Sequence, residues 1–296
     1  MNKTVKIILI IAVCLIPIGI IATIIGLRFG GQPGWSVDFS NGSFSSASDM
    51  VSETVDLEEF DSIDLATSTA DVNIMRGDSY KIEYKARKGK EPTIRQESGK
   101  LTVTQPSIGF VMFSFGLTEE NTYNIYVPED SKEIELHAKS STGDILLDRI
   151  KVSGRIEAST SDILLNDIEG KELEISVSSG DINGDKVKVE KTRFEGSTSD
   201  IAMLRLFSDD VYCHTSTGDI DINDSVVSNM RAEASTGDVT LQLNGKADDY
   251  SYNIKVSTGD IVVNGEESEK SFSKDNGSDN KIDINTSTGD VYVTVK

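Results

Sequence analysis

Through the C-terminal half of the chain, apolar and polar residues alternate in short runs that keep one frame around a recurring pentapeptide. Its copies, Ser-Thr-Gly-Asp-Ile or a close variant, stand at 141–145, 159–163, 178–182, 197–201, 216–220, 235–239, 257–261 and 287–291. With each aspartate as position zero, position +1 is Ile145, Ile163, Ile182, Ile201, Ile220, Val239, Ile261 and Val291, β-branched in every copy. Position −6 is Ala138, Ile156, Ile175, Phe194, Cys213, Ala232, Ile254 and Ile284. Lys, Glu, Asp, Asn and Arg lie between, so the pattern has period two and predicts strands with one face inward. The inward parity changes from even to odd positions across the pentapeptide, which makes it a corner. A further apolar position at +6 (Ile150, Ile168, Val187, Leu206) predicts a second corner and a short third strand.

The aspartates Asp144, Asp162, Asp181, Asp200, Asp219, Asp238, Asp260 and Asp290 follow one another at 18, 19, 19, 19, 19, 22 and 30 residues. A period near 20 residues built from strand-like runs is the signature of a solenoid, one coil per repeat. The expected fold class is therefore all-β: a parallel β-solenoid (β-helix) with coils of about 19 residues. Right-handed winding is the default, and a period near 18 leaves the left-handed form open. An earlier copy, Ser68-Thr69-Ala70-Asp71-Val72, keeps the same frame, with Ile63, Leu65 and Ile74 at the inward positions. The stretch between Asp71 and Asp144 reads as irregular coils or a hairpin insertion.

The N-terminus follows another pattern. Ile7 to Leu27 carries no charge and is flanked by Lys3, Lys6 and Arg28. Helical rise takes such a run across a hydrocarbon core of about 30 Å. It is longer than a signal-peptide apolar region and has no small-residue cleavage site, so an uncleaved transmembrane helix is expected. Lys3 and Lys6 place the N-terminus in the cytoplasm and the remainder outside it. The expected organisation is 1–28 cytoplasmic start and anchor, 29–54 flexible linker, 55–135 irregular solenoid and 136–296 regular repeats. Trp35 and Phe39 in the linker suit a membrane interface.

Charge narrows the partners. All 49 acidic residues and 26 of the 29 basic ones follow Arg28, giving 26 − 49 = −23 beyond it. Such a domain is no nucleic-acid binder, and its charge serves solubility and opposes edge-to-edge aggregation. Of the two cysteines, Cys14 falls in the apolar run and Cys213 at an inward position, so no structural disulfide is expected. That scarcity suits a Gram-positive type of surface protein.

The repeated Ser-Thr-Gly-Asp-Ile frame, the irregular first part, Val127-Pro128 before the regular coils and the N-terminal apolar run resemble the bacterial "putative adhesin" family of β-strand-repeat proteins. The resemblance covers about residues 55–296 and includes membrane-anchored members such as that of the Lia envelope-stress system. It implies a non-enzymatic extracytoplasmic β-solenoid on a single-pass anchor in the cell membrane, and it transfers no binding residues.

Candidate chemistry is sparse. The aspartate column Asp144, Asp162, Asp181, Asp200, Asp219, Asp238, Asp260 and Asp290 reads as a set of corner hydrogen-bond acceptors, with a calcium-bridged ladder as the alternative. His137 and His214 fall on outward positions with no nucleophile at a recognisable spacing, so no catalytic residue, cofactor or metal site is assigned. The apolar run 108–117 departs from alternation and is expected to cover the open N-terminal end of the core. Its sharper reading is an interaction loop formed by Phe110, Met112, Phe113 and Phe115. The last coil, 281–296, ends on a full strand and is expected to leave an open end for strand addition or homo-oligomers, with 266–280 folding over it. The function expected is non-catalytic: an adhesin-like binding or envelope-stress accessory module whose partners are an envelope protein or a wall glycan. Alternatives are a self-assembling scaffold and a carbohydrate-active β-helix enzyme.

Overall fold

A computed structural model describes residues 35–38, 43–46, 50–106, 111–115 and 121–296. Apart from a 3-10 turn at Ala247–Asp249, every regular element among them is a β-strand. No helix of the described residues is long and apolar enough to cross a membrane, and the expected span 7–27 lies outside them. So do Cys14, Phe39 and Phe110. The segment expected as linker contains the strands Trp35–Asp38 and Ser43–Ser46 and the start of Met50–Asp56.

The chain forms two compact units. The smaller contains a three-stranded antiparallel sheet in the order 43–46, 35–38, 111–115. The larger, 51–107 with 120–296, is the repeat structure. Its frame is visible in the register of neighbouring coils. On one face the −6 residues pair in the order Val103, Leu65, Ala138, Ile156, Ile175, Phe194, Cys213, Ala232, Ile284, Ile254. On the next, the +1 column runs Tyr123, Val72, Ile145, Ile163, Ile182, Ile201, Ile220, Val239, Val291, Ile261. All twenty are buried. Burying a side chain of this size contributes about 1.5–3 kcal/mol, and no coil has a second layer of its own to supply that burial.

The second corner is present too. Position +5 carries Arg149, Asp167, Lys186, Arg205 and Asp224, all left-handed with φ between 50° and 57°. The chain then enters the short third face, where Ile168, Val187 and Leu206 stand in register and buried.

One expectation is overturned. The C-terminal coil is not the end of the stack: Lys281–Thr288 lies between the 229–236 and 251–258 segments, paired parallel to both. Likewise Val291–Val295 lies between Val239–Leu243 and Ile261–Val263. The open end expected at 281–296 is therefore closed on both edges. Every coil offers the same register, so the stack accepts the coils out of sequence order, and the connection 264–280 is long enough to return the chain inside. That connection does fold over the terminal coil, 251–263, as Glu266–Ser268 antiparallel to 261–263 and Ser271–Lys274 antiparallel to 252–255. At the other end Thr93–Glu97 and Lys81–Arg87 run antiparallel to their neighbours. Parallel stacking is thus closed at both ends by antiparallel strands, a defence against edge-to-edge growth.

Candidate functional site

The corner sequence explains the aspartate column. Where the chain turns out of one face, the aspartate N–H points along the stack, and the carboxylate of the coil beside it accepts it. Asp71 Oδ1 accepts from Asp144 N–H at 3.0 Å, and Asp144 from Asp162 at 2.8 Å. The row continues Asp162 to Asp181, Asp181 to Asp200, Asp200 to Asp219 and Asp219 to Asp238, at 2.7–3.0 Å. It ends Asp238 to Asp290 at 2.7 Å and Asp290 to Asp260 at 2.9 Å, in the order of the coils in space. All eight expected aspartates are therefore brought into one row, with Asp71 as a ninth.

The residue before each aspartate must be small. At Gly237, with φ 143°, a Cβ would sit 1.9 Å from the carbonyl oxygen of Gly218 on the neighbouring coil. Like-charged carboxylates one strand spacing apart repel by roughly 0.9 kcal/mol per pair in water. A hydrogen bond to a charged acceptor returns about 1.5–3 kcal/mol. The bond wins, so the column is stable as a string of backbone acceptors. Among the described residues no group of three or more His, Cys, Asp or Glu is arranged to hold a metal ion. Asp221, two residues beyond Asp219, is held above the usual carboxylate range by burial, reinforced by Asp219, Asp200 and Asp238 and opposed by a hydrogen bond from Thr240.

The other residues singled out in the sequence fall apart from this row. His137 is exposed, 3.3 Å from Glu135. His214 is half-buried, its Nδ1 3.7 Å from Glu233 and without a hydrogen bond. Met112, Phe113 and Phe115 belong to the strand 111–115 of the smaller unit. Cys213 is fully buried in the −6 column, and burial pushes its thiol up to about 12, which makes it inert.

Departures from the repeat mark the outer faces. At outward position −7, Tyr212 lies between Arg193 and Arg231, with guanidinium carbons 4.2 and 5.9 Å from its ring centroid. Its hydroxyl donates to Glu233 at 3.0 Å, and Arg231 holds Glu233 below the usual carboxylate range. The shallow trough there, about 500 Å³, is also lined by Lys191, Asp210 and Lys281. On the third face, position +7 carries Lys151, Glu169 and Lys188, then Phe207 and Val226. Those last two are paired neighbours, each 43% exposed, beside an open trough of about 460 Å³. Both departures are readable from the columns once the frame is drawn. Gln105 is not: buried outside the frame, its Oε1 accepts the N–H groups of Ser68, Thr69 and Ala70 at 2.7, 2.9 and 3.2 Å. It thereby closes the first corner, where the Asp71 N–H goes to the Asn121 carbonyl at 2.9 Å in place of a carboxylate.

The family model "Toastrack DUF4097" matches residues 60–294. The fold is similar to the crystal structure of a "putative adhesin" from Parabacteroides distasonis ATCC 8503, with TM-score 0.56, 14% identity, and 82% of this chain and 96% of that one covered. A "putative adhesin" from Parabacteroides merdae ATCC 43184 gives TM-score 0.54 at 12% identity, covering 84% and 97%. A "Putative lipid binding protein" from Parabacteroides distasonis gives TM-score 0.50 at 15% identity, covering 84% and 97%. At these identities the likeness is one of fold. No curated protein matches the chain.

Proposed function

For a chain that belongs to the Toastrack DUF4097 family, we propose the role of a non-catalytic binding module, held at the cell membrane by residues 7–27 with its repeat domain outside the cytoplasm. One observation carries the reading: the carboxylate that recurs at each pentapeptide corner is engaged in joining coil to coil. What remains for a partner among the described residues is the outer faces, with open troughs around Tyr212 and Phe207. Broad, shallow, polar-rimmed surfaces with isolated aromatic anchors suit a macromolecular partner, an envelope protein or a wall polymer. A similar fold carried by proteins named adhesin and lipid binding protein is compatible with that class of role.

The test is photocrosslinking in the intact cell from a reactive amino acid placed at Tyr212 or Phe207 of the full chain. Crosslinks to one envelope component, absent from a position on the aspartate row such as Asp181, are expected. Equal, scattered crosslinking from all three positions would overturn the reading. The scaffold alternative loses its proposed joint, because 281–288 and 291–293 are paired on both sides.

A further inference from the structure

The second face of the repeat stack, built by positions +1 to +4 after each aspartate, differs from the other two in its outer chemistry. Alternate residues of a strand share a face, so +1 and +3 point inward and +2 and +4 outward. Eight coils continue this face in register at +1 to +3, from Ile145–Asp148 to the segment 261–264. Of their sixteen outward positions none is Lys, Arg, Glu or His, and three are carboxylates, Asp148, Asp185 and Asp221. On the first face the same eight coils carry ten Lys, Arg, Asp or Glu residues at the sixteen outward positions −7 and −5.

Apolar side chains recur along this face. Leu146 adjoins Leu164, Ala202 shares a strand with Leu204, and Tyr292 adjoins Val262. Leu164, Leu204 and Tyr292 are 49%, 42% and 42% exposed, three of the five large apolar side chains so exposed among the described residues. Asn183, Thr240 and Gln242 stand between them. The Tyr292 hydroxyl donates to Asp290 at 3.1 Å, so the ring is what this residue offers to a ligand. The carboxylates already have donors: Arg149 for Asp148 at 2.9 Å, Arg205 for Asp185 and Thr240 for Asp221.

Charge and shape select the occupant. An anionic polymer finds no base on this face and meets the aspartate row along its edge, while a cationic one is drawn to the row and not to the face. A surface without Lys, Arg or Glu leaves few ions to desolvate when it is covered. Eight coils at strand spacing make a strip about 34 Å long, and four residues make it about 13 Å wide. Two such strips from two copies would bury about 900 Å² in all, short of the roughly 1,200–2,000 Å² of a stable interface. A single extended chain without charge fits it better. We propose that this face binds a neutral, unbranched polysaccharide lying along the stack, with the apolar faces of its sugar rings on Leu164, Leu204 and Tyr292 and its hydroxyls toward Asn183, Thr240 and Gln242. The inference rests on the binding-module reading and gives it a surface and a ligand class.

The full chain, in phosphatidylcholine nanodiscs, is mixed with cellulose and chitin as neutral polymers and with immobilised polygalacturonate as an anionic one. Retention on cellulose or chitin, unchanged from about 0.05 to about 0.5 M salt, is expected, with none on polygalacturonate. Tyr292→Ala and the pair L164Q/L204Q, all at exposed positions, should each weaken retention about tenfold or more without changing the melting temperature. Lys255→Ala, on the first face, should bind as wild type does. Retention that both variants leave intact overturns this surface and keeps the binding module. Retention on neither neutral polymer overturns the inference, and crosslinking from Tyr212 and Phe207 then tests the module reading by itself. Salt-sensitive retention on polygalacturonate alone overturns the ligand class. A concentration-dependent dimer in sedimentation, abolished by L164Q/L204Q, overturns the inference by giving the face to a second copy.

Discussion

Replacing Asp200 by Asn and by Ala separates the acceptor role of the row from its charge. Asp200 Oδ1 accepts the N–H of Asp219 at 2.8 Å, and its own N–H is held by Asp181 at 3.0 Å. Both substitutions remove the charge and so relieve repulsion from two neighbours, about 0.9 kcal/mol each in water and less in salt. Asn keeps an oxygen for the Asp219 N–H; Ala leaves that N–H to solvent. The difference between the variants is therefore the net value of one hydrogen bond, about 1 kcal/mol. In a domain of this size that is a gap of about 2–4 °C in Tm. Relative to wild type, Asn exchanges a charge-assisted bond for a neutral one while losing the repulsion, so it should melt close to wild type. The same exchange at Asp162, Asp181, Asp200, Asp219 and Asp238 together should widen the Asn–Ala gap to about 5 kcal/mol if the corners act independently. Thermal melts of the repeat domain with calcium and with chelator supply the measurement. Coincident melting of the Asn and Ala variants would refute the acceptor role. An Asn variant well below wild type, together with a calcium-dependent rise in wild-type Tm, would give the row to a metal instead.

Three further outcomes follow from the same structure. Gln105→Ala removes the acceptor of three backbone N–H groups at the first corner and should lower stability by about 2–3 kcal/mol in chemical denaturation, with Gln105→Glu recovering part of the loss. Thr192 lies at an inward −8 position with Oγ1 buried and unpaired, so Thr192→Val should raise stability by about 1 kcal/mol; a loss would mean that the hydroxyl has a partner. Asp221 has a folded-state carboxyl held above its ordinary value of 3.8, so the native state binds more protons than the unfolded one just above that pH, and stability falls as pH rises through the window. Asp221→Asn should therefore melt higher than wild type at pH 7, with the advantage vanishing below the ordinary carboxylate range, where the group is protonated in both states.

The sequence frame carried most of the repeat domain because buried positions recur where alternation puts them: Ile145, Ile163, Ile182 and their column are all inside. The corner at +5 shows its location in the pattern but not its left-handed backbone, since Arg149, Lys186 and Asp224 share no side-chain chemistry that asks for it. The coil order 238, 290, 260 was hidden for the opposite reason. All copies fit one another equally, and only the length of 264–280 and its hairpin decide which lies beside which. Gln105 was illegible because a single polar residue outside any frame acquires meaning only from the three amides it meets. The aspartate row was legible as a corner device, while the aromatic surfaces required comparison of outward columns, in which Tyr212, Phe207 and Val226 break a run of charges.

The out-of-order coil also bears on how the domain comes into being. Coils from Asp144 through Asp238 can stack as each emerges, every new one adding to the last. The coil at 251–263 cannot take its final place in that way, because its neighbour in the stack, 281–293, follows it in the sequence. A chain that folds as it emerges would carry an unfinished stack until 281–296 appeared, with Lys296, bonded to Leu243 and Gly245, closing it beside Val239–Leu243. Arrival of 281–295 thus completes the stack, and chains that stop short of it are left with a gap between the 229–243 and 251–263 segments.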